Sequence, residues 1–598
     1  MVDQDPEKKL AQGEENVTII KPAEGAPIGL QKVYLMNKYA SKLDKYLIIG
    51  GIIFVAWAKN WEGNTVYSVT GTVTSYFNAA NQIALLGTVQ YILQTVLVPL
   101  YSKLSDLWGR TEVFLFSVIF YVVSGIVLAS SQSINDLVGG QVVYTIGYSG
   151  VSIMGHVLIA DMTSKVNRGL IQAVYDVPAI INIFVAPVAG QHLVELGIWR
   201  MAYGMISICL AGTAVFLFAG LFSAEYKIRR NGQLKEVKEK LSQEAPKQTF
   251  FEKVRWLSNE VDLVGSLLMV GWLCMLLLPL ILATTDFGGW NTSKTIGLLV
   301  GGVVTLAVFF AYERFGAPQA IIPVGNWKDW TPIAGVLTIS MISIISSINW
   351  QYYQMYLQVS RRWTIIKATH FDRSYDAVYL VSQVVAGILM KRFKIYRPIV
   401  LVGIAFFLLG MGLMIPARFP YSSDVFVAAT QVIAGWGAGW CFVPTLVAVQ
   451  SAVPHKDLAM VTALYQVGTT LAYSIGSAIG GAVYNNMLPK ELAKHVPGEF
   501  DLASALGDIY YVMGLPEEQF QGAIVAYGNV QQVFAIIGLC LGVLAVFFAC
   551  FMRNFGLSDE KADVVDTIPE EIVRVGAAEH TQSSTDEKAQ VDTKTLHA

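Results

Sequence analysis

The chain has 598 residues, of which 54% are hydrophobic and only 14% are charged. Soluble proteins carry about 25% charged residues, so we expect most of this chain to face lipid or other membrane helices. The formal net charge of −2, without a basic stripe, argues against a nucleic-acid partner. The five cysteines lie inside apolar runs without CxxC spacing, which predicts buried thiols and neither a metal site, a cofactor nor disulfides. The polar N-terminus has no short apolar segment typical of a signal peptide.

A membrane-spanning helix needs about 20 mostly apolar residues. Fourteen stretches meet this requirement, at 46–77, 83–104, 113–131, 136–160, 169–190, 200–223, 261–283, 295–312, 331–357, 374–390, 398–416, 424–449, 457–485 and 531–552. Two of them depart from the pattern. The first is too long for one span, and the tenth opens with Asp372, Arg373 and Asp376.

Lysine and arginine in the loops predict the orientation, because cytosolic loops are enriched in positive charge. With a cytosolic N-terminus, the inward loops contain Lys103, Arg110, Lys165 and Arg168, and the first three outward loops are almost empty of positive charge. We therefore expect both termini in the cytosol. The even number of helices, their scattered polar residues and the lack of convincing GxxxxGK[ST], HExxH or GxSxG motifs favour a transporter over an ATP-driven pump or a hydrolase.

The loop after the second span reads "SKLSDLWGRTE" and places Asp106 and Arg110 four residues apart, with Gly109 at the turn. An acid and an arginine at a turn between two helices can form a latch that is closed in one state and open in the other. This loop resembles the signature G-x-L-x-D-x-x-G-R of the major facilitator superfamily, with Ser102 in place of the first glycine. "IADMTSKVNRG" at the end of the fourth span adds Asp161 and Arg168 to the predicted latch.

The superfamily resemblance implies two six-helix halves, here joined by an extra central helix pair, in an all-α integral membrane fold of fourteen helices. The expected regions are then a disordered cytosolic tail at 1–45, the N-terminal half at 46–223, a basic cytosolic linker at 224–256, the central pair at 257–312, the C-terminal half at 313–552 with an extracellular loop at 486–530, and a second disordered tail at 553–598.

Three further stretches narrow the resemblance. "APVAGQHLVELGIWRMAYGM" (186–205) is similar to the fifth helix of fourteen-helix facilitators, and "SAVPHKDLAMVTALY" with "SIGSAIGGAVYNNMLP" (451–465, 474–489) resembles the fungal siderophore–iron transporter family. The likeness covers nearly all of residues 45–552. It implies proton-coupled import of ferric siderophores, although near relatives in that family exchange glutathione or carry haem.

The first span contains two charges, Lys59 and Glu62, in the stretch "AKNWEGN". A straight helix over 46–77 would be roughly 48 Å long, beyond a hydrocarbon core of about 30 Å. Either it breaks near Gly63 and Asn64 or part of it projects beyond the membrane, and we favour the break. Lys59 and Glu62 are three residues apart and can pair on one helix face. The family resemblance supports Glu62 as a coupling residue and matches the following Tyr67. Lys59 has no family counterpart, and it can either attract an anionic substrate or neutralise Glu62.

Other ionisable groups within predicted spans compete for the proton-coupling role. Asp176 lies about two turns into the fifth span, just before Pro178, and His156 lies in the fourth. Histidine is the side chain that titrates near neutral pH, although a lone histidine in a membrane helix is often a packing residue.

The last outward loop is rich in tyrosine and has an apolar spacing that predicts short helices over the pore mouth. Its aromatic residues are Tyr510, Tyr511, Phe520 and Tyr527. In the resembled family such tyrosines contribute to substrate handling, whereas a lid that only packs on helix ends would look the same. A basic cluster of Arg361, Arg362 and Lys367 is also outward, which would suit attraction of a negatively charged chelate.

The sequence thus predicts a transporter that imports ferric siderophores with protons by alternating access, as a monomer, without nucleic-acid partners and most simply in the plasma membrane. Endosomal and vacuolar membranes remain open. The alternatives are a proton antiporter that exports glutathione or drugs, and a substrate sensor that does not move cargo.

Overall fold

The computed structural model describes residues 28–162, 165–232, 234–235, 249–317, 329–419, 421–453 and 458–553, with some side chains around Arg168 and Asp176 left outside the description. These ranges are helical and contain no strand. The N-terminal half is built from α1 (Ile28–Tyr39), α2 (Lys42–Tyr76), α3 (Ile83–Trp108), α4 (Arg110–Ala129), α5 (Ile134–Met162), α6 (Lys165–Glu195) and α7 (Arg200–Arg230).

The remaining helices form a central pair and a second half. A short helix α8 (Phe250–Glu260) precedes the pair α9 (Leu263–Leu282) and α10 (Ser293–Phe315). The C-terminal half follows with α11 (Thr331–Trp350), α12 (Tyr353–Arg361), α13 (Ile365–Phe393), α14 (Arg397–Ala417), α15 (Asp424–Ser451), α16 (Leu458–His495), α17 (Leu502–Gly507), α18 (Ile509–Met513) and α19 (Glu517–Cys550).

Eleven helical segments in the described ranges are long and apolar enough to cross a membrane. Three further helices have spanning length, since α2, α13 and α16 contain 35, 29 and 38 residues. Eleven and three make fourteen, which is compatible with the predicted number of spans. The prediction of an all-α membrane protein is confirmed.

Two opposite faces of this helical bundle are useful landmarks. We call the face at which α3 ends and α4 begins the latch face. The lid face is the opposite one, where α17 and α18 lie against the end of α2, with the amide of Ile509 donating to the Ser75 hydroxyl at 3.2 Å. Helix α2 begins at the latch face and ends at the lid face.

The prediction of a break in the first span was wrong, because α2 is one continuous helix of 35 residues. The amides of Asn60 and Asn64 donate to the carbonyls of Ala56 and Asn60, four residues earlier, at 2.9 and 2.8 Å, so both side chains are satisfied within the helix. Gly63 costs the helix about 1 kcal/mol relative to alanine, which packing along so long a helix outweighs. At 1.5 Å per residue α2 is about 52 Å long and projects beyond a hydrocarbon core of about 30 Å.

The prediction that residues 1–45 are a disordered tail was wrong for 28–45, whereas 1–27 lie outside the described residues. Helix α1 buries Val33, Leu35 and Met36, and the last two belong to the apolar core of the N-terminal half. Ser41 then begins α2 with a capping box, in which its backbone amide donates to the Asp44 carboxylate at 2.8 Å. Residues 554–598 of the predicted tail and much of the linker at 224–256 also lie outside the described residues.

Helix α1 lies across the latch face and contacts α3, α5 and α7. The Lys32 ammonium donates to the Glu112 carboxylate, and the Asn37 amide donates to the carbonyl oxygen of Asp161 at 2.6 Å. Gly29 packs so closely on the Ser105 carbonyl that an added Cβ would lie 2.6 Å from that oxygen. All these partners belong to the N-terminal half.

Two predicted boundaries also differ from the structure. The loop predicted at 486–530 is shorter, because α16 continues to His495 and α19 begins at Glu517. Leu488, Leu492 and Phe520 share one buried apolar cluster, which favours helix over loop at both ends. Helix α13 begins at Ile365 and not near 374, so the charges at the start of the tenth predicted span lie inside a helix.

Candidate functional site: a cavity between the two halves

A cavity of about 480 Å³ lies between the two six-helix halves. Its walls come from α2, α3, α5, α11 and α13, with fewer residues from α4, α7, α12 and α16. Seven tyrosines and one tryptophan line it, namely Tyr67, Tyr91, Tyr144, Tyr148, Tyr203, Trp350, Tyr375 and Tyr473. Small-molecule sites are commonly 300–1,000 Å³ and lined by aromatic groups with a few polar ones, so this cavity is the candidate site.

Glu62 reaches the cavity from α2, and its side chain is almost completely enclosed, with 3% of the residue exposed. Its Oε2 accepts hydrogen bonds from the hydroxyls of Tyr121 at 2.6 Å and Tyr144 at 3.3 Å. Its Oε1 is buried and has no hydrogen-bond partner among the described residues. A buried carboxylate with one unsatisfied oxygen is costly, and taking up a proton would remove its charge.

Lys59 lines the same cavity one turn earlier on α2 but points elsewhere. Its ammonium donates to the Ser152 hydroxyl at 3.2 Å and lies 5.3 Å from the ring centroid of Tyr148 and 6.0 Å from that of Tyr175. The predicted direct pairing of Lys59 with Glu62 was therefore wrong, because Glu62 is bound by tyrosine hydroxyls and Lys59 is turned toward α5 and α6.

His156, another predicted coupling residue, does not contact Glu62. His156 does not line the cavity, and its ring packs edge-on against Tyr175 at a centroid distance of 4.9 Å. It follows Tyr144, Tyr148 and Ser152 at four-residue spacing along one face of α5. The side chain of Asp176 lies outside the described residues.

Tyr67 lines the cavity and contacts a charged group that the sequence analysis did not assign to the site. Its hydroxyl donates to Oδ2 of Asp372 on α13 at 2.7 Å, across the boundary between the halves. The Arg373 guanidinium lies 3.5 Å from the Tyr67 ring centroid, and its Nη1 binds the Asp376 carboxylate at 2.6 Å. The sequence did contain a signal for this group, namely three charges at the edge of an apolar segment. Charged residues inside a membrane span are rare and usually functional.

The predicted latch residues come together at the latch face. Arg110 is buried and binds both Asp161, at 2.8 Å, and Asp106, at 2.6 Å, and it also contacts the Ser105 hydroxyl. Gly109 connects α3 to α4 with φ of 125°, a conformation that other residues rarely adopt. Arg168, the fifth predicted member, has a side chain outside the described residues.

The aromatic residues of the last outward loop pack within the lid and do not line the cavity. The Tyr510 hydroxyl lies 2.8 Å from Thr72 Oγ1 on α2, and the Tyr511 hydroxyl accepts a hydrogen bond from the Asp501 amide at 3.0 Å. Phe520 and Tyr527 are buried in an apolar cluster shared by the C-terminal half, the central pair and α3. These contacts favour the lid that packs on helix ends over direct substrate handling.

Asp501 caps the short lid helix α17. Its carboxylate accepts hydrogen bonds from the Ser504 hydroxyl at 2.6 Å and from the Ala503 amide at 3.0 Å. The bond from Ser504, followed by the backbone bonds, holds the pKa of Asp501 below its ordinary value. The cap is therefore fully charged at neutral pH.

Each residue of the predicted basic cluster on the outward side binds an acid, and the three positive charges share two carboxylates. Arg361 and Lys367 bind Asp424 at 3.1 and 2.7 Å, and Arg362 binds Glu517 at 3.0 Å. The attraction of a negative chelate by this cluster stays a prediction, since the pairing leaves one net positive charge. Among the described residues, no group of three or more His, Cys, Asp or Glu side chains is arranged to hold a metal ion.

The contacts between the halves are unevenly distributed. Every hydrogen bond between a described residue of one half and a described residue of the other lies at or beyond the middle of the bundle, toward the lid face. They include Tyr67 to Asp372, Thr72 to Tyr510, Gln354 to the Ser68 carbonyl and Ile366 to Gln191. The halves are thus joined at the lid face, which is the arrangement of a transporter that is closed on that side.

Comparison with known proteins agrees with this architecture. Residues 47–365 and 374–488 match the family model of the Major Facilitator Superfamily. The siderophore iron transporter mirC of Emericella nidulans is 26% identical over 94% of each chain. Siderophore iron transporter 1 of Schizosaccharomyces pombe is 27% identical over 94% of this chain and 90% of its own.

Two further proteins extend the comparison. The low affinity heme transporter str3 of Schizosaccharomyces pombe is 27% identical over 88% of this chain and 84% of its own. The fold is also similar to an inward-facing, occupied bacterial homologue of the human lysosomal transporter Spinster, with a TM-score of 0.54, 13% identity, and coverage of 86% of this chain and 97% of that one.

These findings confirm the resemblance to siderophore–iron transporters that the sequence predicted. The family model covers well over half of the chain, and the helices are those of a multi-pass membrane protein. The chain therefore belongs to the Major Facilitator Superfamily of membrane transporters.

Proposed function

We propose that the protein imports ferric siderophores together with protons by alternating access of the cavity between its halves. The named relatives supply the substrate class, since siderophore iron transporters match this chain over about nine-tenths of its length. The cavity suits a bulky chelate, because its aromatic rings offer a large contact area around few charged groups.

One observation carries the proton-coupling part of the proposal. Glu62 is a carboxylate enclosed in the wall of the substrate cavity, with donors on one oxygen and no partner on the other. Ionisable residues inside membrane helices are expensive and mark ion or proton pathways. Protonation of Glu62 would change the charge of the cavity at the place where substrate binds.

The proposed orientation puts the latch face in the cytosol and the lid face outside. Lys103 and Arg110 lie at the latch face, which agrees with the enrichment of positive charge in cytosolic loops. The regions are those given by the sequence, apart from the boundaries corrected above, with two six-helix halves around the cavity and a central pair at its side. The proposed carrier is a monomer of the plasma membrane, because one chain supplies both halves.

Uptake into proteoliposomes tests this proposal. Purified protein should accumulate iron-55 bound to a siderophore when the outside is more acidic, and uptake should collapse when the gradient is removed. Glu62→Gln should keep chelate binding but lose gradient-driven accumulation. Glu518→Gln, at an exposed acid in the first turn of α19, is the matched control and should behave as wild type.

The outcomes separate the alternatives. Efflux of glutathione or a drug driven by the proton gradient, without chelate uptake, would establish the antiporter. Chelate binding without transport in either direction would establish the sensor. Uptake of haem, with no uptake of siderophore, would place the substrate nearer to that of the heme transporter among the relatives. Unchanged accumulation in Glu62→Gln would remove the coupling role of Glu62.

A further inference from the structure

Asp372 is a second buried acid, and it lies in the half opposite to Glu62. It is 2% exposed, on α13, in the wall of the same cavity. Its Oδ2 accepts a hydrogen bond from Tyr67, whereas its Oδ1 is buried and has no hydrogen-bond partner among the described residues. Glu62 and Asp372 therefore face one cavity from different halves.

The two acids differ in what their hydrogen bonds connect. Both donors to Glu62, Tyr121 and Tyr144, belong to the N-terminal half, so the charge of Glu62 acts within one half. The donor to Asp372 is Tyr67 of α2, so this bond joins the halves. The bond from Tyr67 to Asp372 is one of the hydrogen bonds that keep the lid face closed. Among those between described residues, its acceptor is the buried carboxylate.

The surroundings of Asp372 contain both charges and aromatic hydroxyls. Arg373 and Asp376 lie beside it on α13, and Tyr67 faces it from α2. Arg418, which directly follows α14, and Tyr353 of α12 are close enough to interact with it electrostatically. No described titratable side chain of α6 or α15 contacts it. An ionised carboxylate only accepts hydrogen bonds, so Tyr67 donates, and Arg373 above the Tyr67 ring favours that charged form.

We infer that Asp372 is a proton-binding residue of the transport cycle and that its ionised form holds the lid face closed through Tyr67. A hydrogen bond to a charged acceptor is roughly twice as strong as one to a neutral acceptor. When a proton from water in the cavity binds Asp372, the bond across the halves weakens and the lid-open state gains population. Asp372 then binds its proton more tightly in the lid-open state and releases it in the lid-closed state.

This difference in proton affinity has the direction that import requires. The inference rests on the proposed proton coupling. A lid-open carrier would collect the proton outside, and a carrier closed at the lid face would release it toward the latch face, which is the cytosolic side of the proposed orientation. The proton would be bound from, and returned to, water, and no other group needs to change its covalent state.

The test measures the lid face directly and uses no siderophore, so its failure is distinct from an error in the proposed substrate. Spin labels are placed at Asn135 and Tyr421 through a keto-bearing amino acid, which leaves the native cysteines in place. Both positions are exposed and lie at the lid face, one in each half, and Tyr421 is 87% exposed. Distances between the labels are recorded for the full chain in lipid nanodiscs at about pH 5.5 and about pH 8.

In the wild type, the population with the longer distance should rise by about threefold or more at the acidic pH. Asp372→Asn should remove this dependence, because an amide does not titrate in that range. Tyr67→Phe, which keeps the acid and removes the donor, should show a larger open population at both pH values. Glu62→Gln should retain the shift, since the bonds of Glu62 stay within one half.

Three results would overturn the inference: a wild type whose distances do not change with pH, a full shift in Asp372→Asn, or a Tyr67→Phe protein as closed as the wild type. If Asp372→Asn does not fold, the label distances of Tyr67→Phe and the pH dependence of the wild-type distances still test the inference. A loss of the shift in Glu62→Gln with its retention in Asp372→Asn would assign the lid-face control to Glu62 instead.

Discussion

The hydroxyl of Tyr121 lies 2.6 Å from Oε2 of Glu62, and both side chains are buried inside the N-terminal half. This is the shorter of the two hydrogen bonds to the carboxylate, the other coming from Tyr144 at 3.3 Å. A hydrogen bond to a charged group contributes about 1.5–3 kcal/mol, so Tyr121 sets how easily Glu62 carries its charge.

Tyr121→Phe should therefore slow proton-driven transport by about tenfold, because the ionised form of Glu62 loses its stronger donor. Tyr144→Phe should have a smaller effect, since its bond is longer. Initial rates of uptake at a fixed pH gradient, normalised to protein in the membrane, measure both. Tyr226→Phe, at an exposed tyrosine of α7, is the control. Equal rates for Tyr121→Phe and wild type would contradict the role given to this bond.

The latch cluster should behave as one coupled unit. Arg110 binds Asp161 and Asp106 together, so removing Arg110 leaves two acids close to each other. We expect Arg110→Ala and Asp161→Ala each to lower the melting temperature, and the double variant to lose less than the sum by about 1 kcal/mol. Thermal unfolding in detergent, followed by tryptophan fluorescence, is measured for the wild type, the two single variants and the double variant, which together form a double-mutant cycle. Arg230→Ala, at the exposed end of α7, should be neutral. Strict additivity would show that the arginine and the acid act independently.

Two glycines on neighbouring helices give a matched test of helix packing in the C-terminal half. A Cβ at Gly437 on α15 would lie 2.6 Å from the Gly403 carbonyl oxygen of α14 and would also meet the Phe407 amide nitrogen. Gly437→Ala should destabilise the protein by about 1–3 kcal/mol, because two helix backbones must separate. Gly412→Ala, where an added Cβ meets nothing within 4 Å, should be neutral or slightly stabilising. The unfolding temperatures of the two variants give the comparison, and equal values would mean that the close approach is not required.

The cap of α17 allows a prediction about pH. The pKa of Asp501 is held below its ordinary value, chiefly by the Ser504 hydroxyl, so its contribution is present above the ordinary value and is lost only as pH falls through the lowered one. Amide exchange of residues 502–507 should accordingly be protected to the same degree at about pH 5.5 and about pH 8, after correction for the intrinsic rate. Asp501→Ala should raise exchange at both, and Glu499→Ala should not. A change in protection of the wild type between these pH values would mean that the lid contains another titrating group.

Much of the architecture could be predicted because helices that contact lipid must be rich in apolar residues, and such stretches are visible in the sequence. Long apolar stretches predicted the spanning helices, and two short motifs placed Asp106, Gly109, Arg110 and Asp161 in one latch, where Arg110 binds both acids. These features depend on local sequence, where each residue's neighbours are known.

The errors have two physical origins, the length of a helix relative to the bilayer and contacts between distant segments. The break in α2 was predicted from length alone, although a helix is free to extend beyond the bilayer when its side chains are satisfied. The partners of Glu62 lie 59 and 82 residues away, and Asp372 is 305 residues from Tyr67. No periodicity within one segment specifies such pairs. The charges of α13 looked like the end of a span because the cavity that receives them is formed only by both halves together.

Helix α1 has a mechanical consequence. It is fastened to the N-terminal half through Lys32 and Asn37. In a carrier whose halves rock against each other, α1 must travel as part of one rigid body. The polypeptide ahead of Ile28 is thus attached to a helix that moves with the N-terminal half in each transport cycle. A molecule bound to that segment would be displaced in each cycle without entering the transport pathway.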